Sequence, residues 1–111
     1  MEEDDVLDIF KKWELEIGVD TSTKLMNTLK DGLLNDINQL KNYLSNTEYS
    51  SLNSYAHKLS GTLASLKLFQ GLKLAKQLEN ASKMEQHDLI HQYANELLQY
   101  LNKLMLEVNQ I

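Results

Sequence analysis

Apolar residues recur along this chain at intervals of three and four, the spacing that lays a stripe along one side of an α-helix rather than along one face of a strand. Five stretches separate on that basis. The first opens on the acidic run Glu2 to Asp5, carries Val6, Ile9, Phe10, Trp13 and Ile17, and stops near Gly18. The acids suit the positive end of a helix dipole. Asp20 or Thr21 then caps a longer stretch with Leu25, Met26, Leu29, Leu33, Ile37, Leu40 and Leu44, fraying through Ser45 to Thr47. A third opens near Ser50 and Ser51 and aligns Leu52, Tyr55, Ala56, Leu59, Leu63 and Leu66. After a tight connection at Lys67 and Leu68, a fourth carries Phe69, Leu72, Ala75 and Leu78 and weakens near Asn80 to Ser82. The fifth starts at Glu85 or Asp88 and runs through Ile90, Tyr93, Leu97, Leu101, Leu104 and Val108.

Four amphipathic helices joined by loops of a few residues pack most simply as an antiparallel up-and-down four-helix bundle. The pattern therefore predicts an all-α fold, with the short N-terminal helix covering one end or groove and the loop between the second and third helices the best candidate for mobility.

Composition narrows this further. A chain of 111 residues that is 42% apolar and 24% charged suits one domain over 1–111. It contains no proline and four glycines, which favours long helices over turn-rich β structure. The absence of cysteine closes disulfide, thiolate-metal and cysteine-nucleophile chemistry. No apolar run approaches the roughly 20 residues needed to cross a bilayer, and the acidic start is the reverse of a signal peptide. A cytoplasmic setting without direct membrane contact is expected, either free-standing or as a C-terminal module of a membrane sensor kinase. All eleven basic residues are lysines and the net charge is -5, which argues against a nucleic-acid partner. The charge is uneven: between His57 and Lys83, five lysines face Glu79 alone, a local excess suited to an acidic partner.

His57 stands out by angle. At about 100° per residue, with Leu52 at the origin, the third helix's apolar stripe centres near about 350° and His57 falls near about 140°. It should point outward, among Ser54, Gly61 and Ala64 on the same face. Gly61 sits almost opposite the stripe, where glycine costs about 1 kcal/mol relative to alanine without a core-packing reason. A bare strip beside an exposed imidazole would admit another protein's active site.

The run Ala56-His57-Lys58-Leu59-Ser60-Gly61-Thr62-Leu63-Ala64-Ser65-Leu66, followed by Leu72, Ala75, Gln77, Leu78 and Glu79, resembles the histidine phosphotransfer (HPt) domain of multistep phosphorelays. That family's short N-terminal helix and four-helix bundle would account for nearly the whole chain. The resemblance implies that His57 accepts a phosphoryl group from one receiver-domain aspartate and passes it to another. It implies a site surface of Ser54, Lys58, Ser60, Gly61, Ala64, Glu79 and Lys83, and receiver domains of response regulators or of a hybrid histidine kinase as partners. The chain itself would need no cofactor or metal, because Mg²⁺ belongs to the receiver. Two positions depart from the family pattern: Ser60 stands where lysine is usual three residues after the histidine, and Lys67 stands where glycine usually closes the third helix. Lys58 or Lys83 could offset phosphoryl charge in place of the missing lysine, and Lys67 would have to adopt any left-handed cap.

A neutral imidazole offers a nitrogen nucleophile without special activation. No carboxylate cluster lies at short helical spacing around His57, so the residues suggest a passive carrier and not an enzyme. Four scattered glycines cannot supply an autokinase's nucleotide-binding loops. The alternative from another class is a helical adaptor or dimerisation module with an incidental histidine. His87 and His91, spaced i, i+4, form a second candidate constellation. Without a third ligand they read as a solvated helix face rather than a metal site.

Overall fold

The structure, a computed structural model that describes residues 5–111, opens on Asp5, whose carboxylate accepts the backbone N–H of Asp8 at 3.2 Å and caps the first helix. Glu2, Glu3 and Asp4, the rest of the expected acidic entry, lie outside the described residues. Five helices follow: α1 (Val6–Ile17), α2 (Val19–Ser45), α3 (Tyr49–Ser65), α4 (Phe69–Lys83) and α5 (His87–Val108). Among the described residues there is no strand. α2 to α5 form the expected bundle, α3 packing between α2 and α4, and α5 closing the ring against α4 and α2. α1 lies against α2 and touches α5, burying Val6 and Trp13.

The stripes meet along the bundle axis. Leu33, Leu40, Leu52, Leu63, Leu78, Ile90, Leu97 and Leu101 are fully buried, each contributing about 1.5–3 kcal/mol relative to exposure. Phe69 departs from the reading: placed on the stripe of α4 by spacing, it is 61% exposed, because it is that helix's first residue and projects beyond the packed face. Neither Asp20 nor Thr21 caps α2, which begins one residue after Gly18, itself at φ 86° and without a side-chain cap. Here glycine's freedom at positive φ takes the place of a capping side chain.

The three bundle corners are alike. Residues 46–48, 66–68 and 84–86 each close a helix with the same pair of backbone bonds, in which a left-handed residue bonds back three positions and its successor five. At the α3–α4 corner these run from Lys67 N–H to the Ala64 carbonyl (3.1 Å) and from Leu68 N–H to the Leu63 carbonyl (2.9 Å). The left-handed positions are Thr47 (φ 52°), Lys67 (φ 61°) and Glu85 (φ 53°). This is the Schellman arrangement, built here without glycine at a strain of roughly 1 kcal/mol per corner. Lys67 thus adopts the left-handed cap that its position requires, and its ammonium reaches Glu16 of α1 at 3.3 Å. The connection expected to be mobile is a three-residue corner of the same construction as the other two.

Candidate functional site

α3 presents His57 on its outer face, as its angle against the apolar stripe requires, and the side chain is 78% exposed. The ring is not unpartnered. Glu79, 22 residues on and in α4, places carboxylate Oε2 2.7 Å from His57 Nδ1. An ionised carboxylate only accepts, so the proton of this bond belongs on Nδ1. A neutral imidazole then carries its lone pair on Nε2.

Glu79 is itself held. The Asn53 amide nitrogen donates into α4, to the Glu79 backbone carbonyl at 2.7 Å and to Ser82 Oγ at 3.1 Å. Ser82 Oγ in turn donates to the same Glu79 carbonyl at 2.9 Å. α3 therefore touches Glu79 at two points, its backbone through Asn53 and its carboxylate through His57. Glu79 and its partner histidine were both named from the sequence, but the bond between them was not. Helical spacing compares residues on one helix only, and this carboxylate arrives from the next one. Asn53 gave no signal beyond its place one turn before His57.

The remaining expected site residues divide. Gly61 is exposed, and a Cβ built there would meet nothing within 4 Å, so the turn beyond the imidazole is open. Gly71 is the opposite case, since a Cβ there would run into the Tyr100 ring. Ala64 is exposed on α3, and Lys83 is exposed at the last position of α4. Ser54 and Lys58 are exposed too, but they line a shallow groove of about 320 Å³ between α2 and α3, with Tyr43, Ser50, Ser51 and Tyr55. The Lys58 ammonium lies 5.4 Å over the Tyr55 ring, on the flank of α3 away from Glu79. Ser60 corrects the reading: it is buried, its hydroxyl donating to the Ala56 carbonyl at 3.0 Å. At about 80° from Leu52 it sits on the border of the stripe, and α4 covers that border.

On the α2 flank Tyr55 donates its hydroxyl to Asp36. Burial pushes the Tyr55 phenol up, reinforced by the bond to Asp36, so it stays protonated. Burial also raises Asp36, against the lowering effects of the Tyr55 bond and the Lys58 charge.

Among the described residues no group of three or more His, Asp or Glu side chains is placed to hold a metal. His87 and His91 pack instead around Tyr49. Its ring lies 5.1 Å from that of His87, and its hydroxyl lies 3.4 Å from His91 Nε2. No described helix is long and apolar enough to cross a membrane.

Comparison with curated proteins and with solved structures gave no match. A family model described as the Hpt domain matches residues 24–107, a stretch that runs from the second turn of α2 to the end of α5 and includes His57, Gly61 and Glu79. With that match over most of its length, the chain belongs to the Hpt domain family, helical phosphocarrier modules that act with receiver domains in two-component phosphorelays.

Proposed function

We propose that this chain is a phosphoryl carrier in which His57 Nε2 accepts the phosphoryl group from a receiver aspartate and returns it to a second receiver. The observation that carries the reading is the exposed imidazole bonded through Nδ1 to Glu79 beside the open turn at Gly61.

The Nε2 lone pair attacks phosphorus in line with the aspartyl oxygen. The N–P bond forms as the P–O bond breaks, and its electron pair leaves on the receiver carboxylate. The proton stays on Nδ1, so the phosphorylated ring is formally cationic, and the Glu79 carboxylate at 2.7 Å lies where that charge develops. In the second transfer the N–P pair returns to Nε2 as the next aspartate takes the phosphoryl group. Nothing in either direction requires a base to remove a proton. Mg²⁺ held by the receiver supplies charge neutralisation on the phosphoryl oxygens.

Ser54, Lys58, Gly61, Ala64 and Lys83 form the receiver-facing surface in this reading. Ser60, buried, contributes packing beneath it. The lysines between residues 58 and 83 attract the acidic face of a receiver in the cytoplasm.

Incubation with a phosphorylated receiver domain tests the assignment. Wild type acquires an acid-labile, alkali-stable phosphate, His57→Gln acquires none, and His87→Gln labels like wild type. Label that persists in His57→Gln would refute the site, and a wild type that never labels would favour an adaptor module.

A further inference from the structure

Glu79 can serve His57 only while α4 keeps its register against α3, and the structure shows one side chain placed to set that register at the right height. Asn53 lies one helical turn before His57, about 6 Å along the axis, on the same flank of α3. It is half-buried, and its amide nitrogen donates to two acceptors on α4, the Glu79 carbonyl at 2.7 Å and Ser82 Oγ at 3.1 Å. Apolar contacts between α3 and α4 resist separation but tolerate small slides and rotations, because dispersion and burial are not directional. A two-pronged amide bond is directional. A slide of α4 by a fraction of a turn would lose the amide bonds before it lost the leucine contacts. It would also carry the carboxylate away from Nδ1.

We infer that Asn53 is a positioning residue of the site: by fixing the Glu79 backbone it holds the Glu79 carboxylate on His57 Nδ1, and so selects Nε2 as the reactive nitrogen. The inference rests on His57 being the phosphoacceptor only for its consequence in transfer. Its structural half concerns the unphosphorylated ring. Without a fixed acceptor, the imidazole proton is free to exchange between the two nitrogens, and the tautomer that carries it on Nε2 has no nucleophile facing out.

The test reads both halves on the intact chain. Nitrogen-15 spectra of His57 should show the Nδ1–H tautomer in wild type and an exchanging mixture in Asn53→Ala. Acceptance of phosphate from a saturating phosphorylated receiver should slow by roughly threefold to tenfold, the partial loss expected when a catalytic contact is loosened rather than removed. The receiver concentration giving half-maximal rate should stay unchanged, because Asn53 is not on the outer face. In a Glu79→Ala background Asn53→Ala should add nothing to either reading, since its effect passes through Glu79. Asn53→Leu, close in size and apolar, repeats the measurement if the alanine variant loses helix content.

Unmoved His57 nitrogen shifts in both Asn53 variants would overturn the inference. So would an equal slowing with and without Glu79. A wild type that takes no phosphate, while its tautomer still follows Asn53, would remove the carrier reading and leave the positioning role standing.

Discussion

α3 carries two ring-to-carboxylate pairs on opposite flanks, two residues apart in sequence. Tyr55 meets Asp36 of α2, and His57 meets Glu79 of α4. The chemical plan is the same, a ring group hydrogen-bonded to an acid from the neighbouring helix, and the outcomes differ because the surroundings differ. Tyr55 is half-buried, with the Tyr43 ring 6.0 Å away and the Lys58 ammonium over its face. Desolvation there raises both members of the pair, and the phenol, protonated near neutral pH in any case, serves as a donor to Asp36. His57 stands in solvent, with the next turn stripped to a glycine, so its bond orients the ring without enclosing it. One flank fastens helices together and the other presents a nucleophile. Residue type and exposure decide together, since a phenol keeps its proton at neutral pH and only the imidazole stands in solvent with a free lone pair.

The sharpest way to break this contrast is to remove the acid on the exposed flank. Glu79→Ala should slow phosphate acceptance by on the order of tenfold to a hundredfold while leaving the fold intact, because the histidine side of the pair stands in water and such a pair contributes little to stability. Single-turnover transfer and a thermal melt on the same sample check both halves. A large loss of stability with unchanged transfer would mean that Glu79 belongs with Asp36 as a fastening.

The mirror experiment acts on the other flank and should have the opposite profile. Tyr55→Phe removes the donor to a half-buried carboxylate and should lower unfolding free energy by about 1–3 kcal/mol, the usual cost of leaving such a group unsatisfied. Transfer through His57 should keep its wild-type rate. Denaturant titration and the same single-turnover assay decide, and slowed transfer would show the two flanks to be coupled through α3.

The sequence made some of this legible and hid the rest for identifiable reasons. The stripes through Leu33, Leu52, Leu78 and Leu97 located α2 to α5 and the core, because burial imposes a period that the chain displays directly. The same angular reasoning turned His57 and Gly61 outward. Ser60 was placed on the site surface by the family resemblance, but it sits about 90° from the stripe centre, where a side chain's fate depends on the neighbouring helix. The corners were hidden because Thr47 and Glu85 do not look like left-handed residues. Only at Lys67 did comparison with a family pattern raise the question. The bonds His57–Glu79, Asn53–Glu79 and Tyr55–Asp36 join residues 19 to 26 positions apart on different helices. Periodicity places each residue on a face and carries no information about which residue of the next helix stands opposite.

Replacing the acid itself on the buried flank gives a smaller and pH-dependent effect whose sign is fixed by the direction of the shift. Asp36 has a folded-state pKa above its ordinary value, with burial the largest cause. The folded protein therefore binds that proton more tightly than the unfolded chain does. This contribution to stability is fully present below the unfolded aspartate pKa of about 4, and it is lost as pH rises through the raised value. An asparagine amide in its place would keep an oxygen to accept the Tyr55 hydroxyl but would carry no charge to desolvate. Asp36→Asn should therefore match wild type near pH 3 and become the more stable of the two by pH 7. The margin should be smaller than the loss in Tyr55→Phe, because the group is only partly buried. Denaturant midpoints for both proteins across that range measure it. A variant less stable than wild type at pH 7 would mean that the charged hydrogen bond outweighs desolvation. The two flanks of α3 would then differ in access to the ring and not in the electrostatics of the acid that holds it.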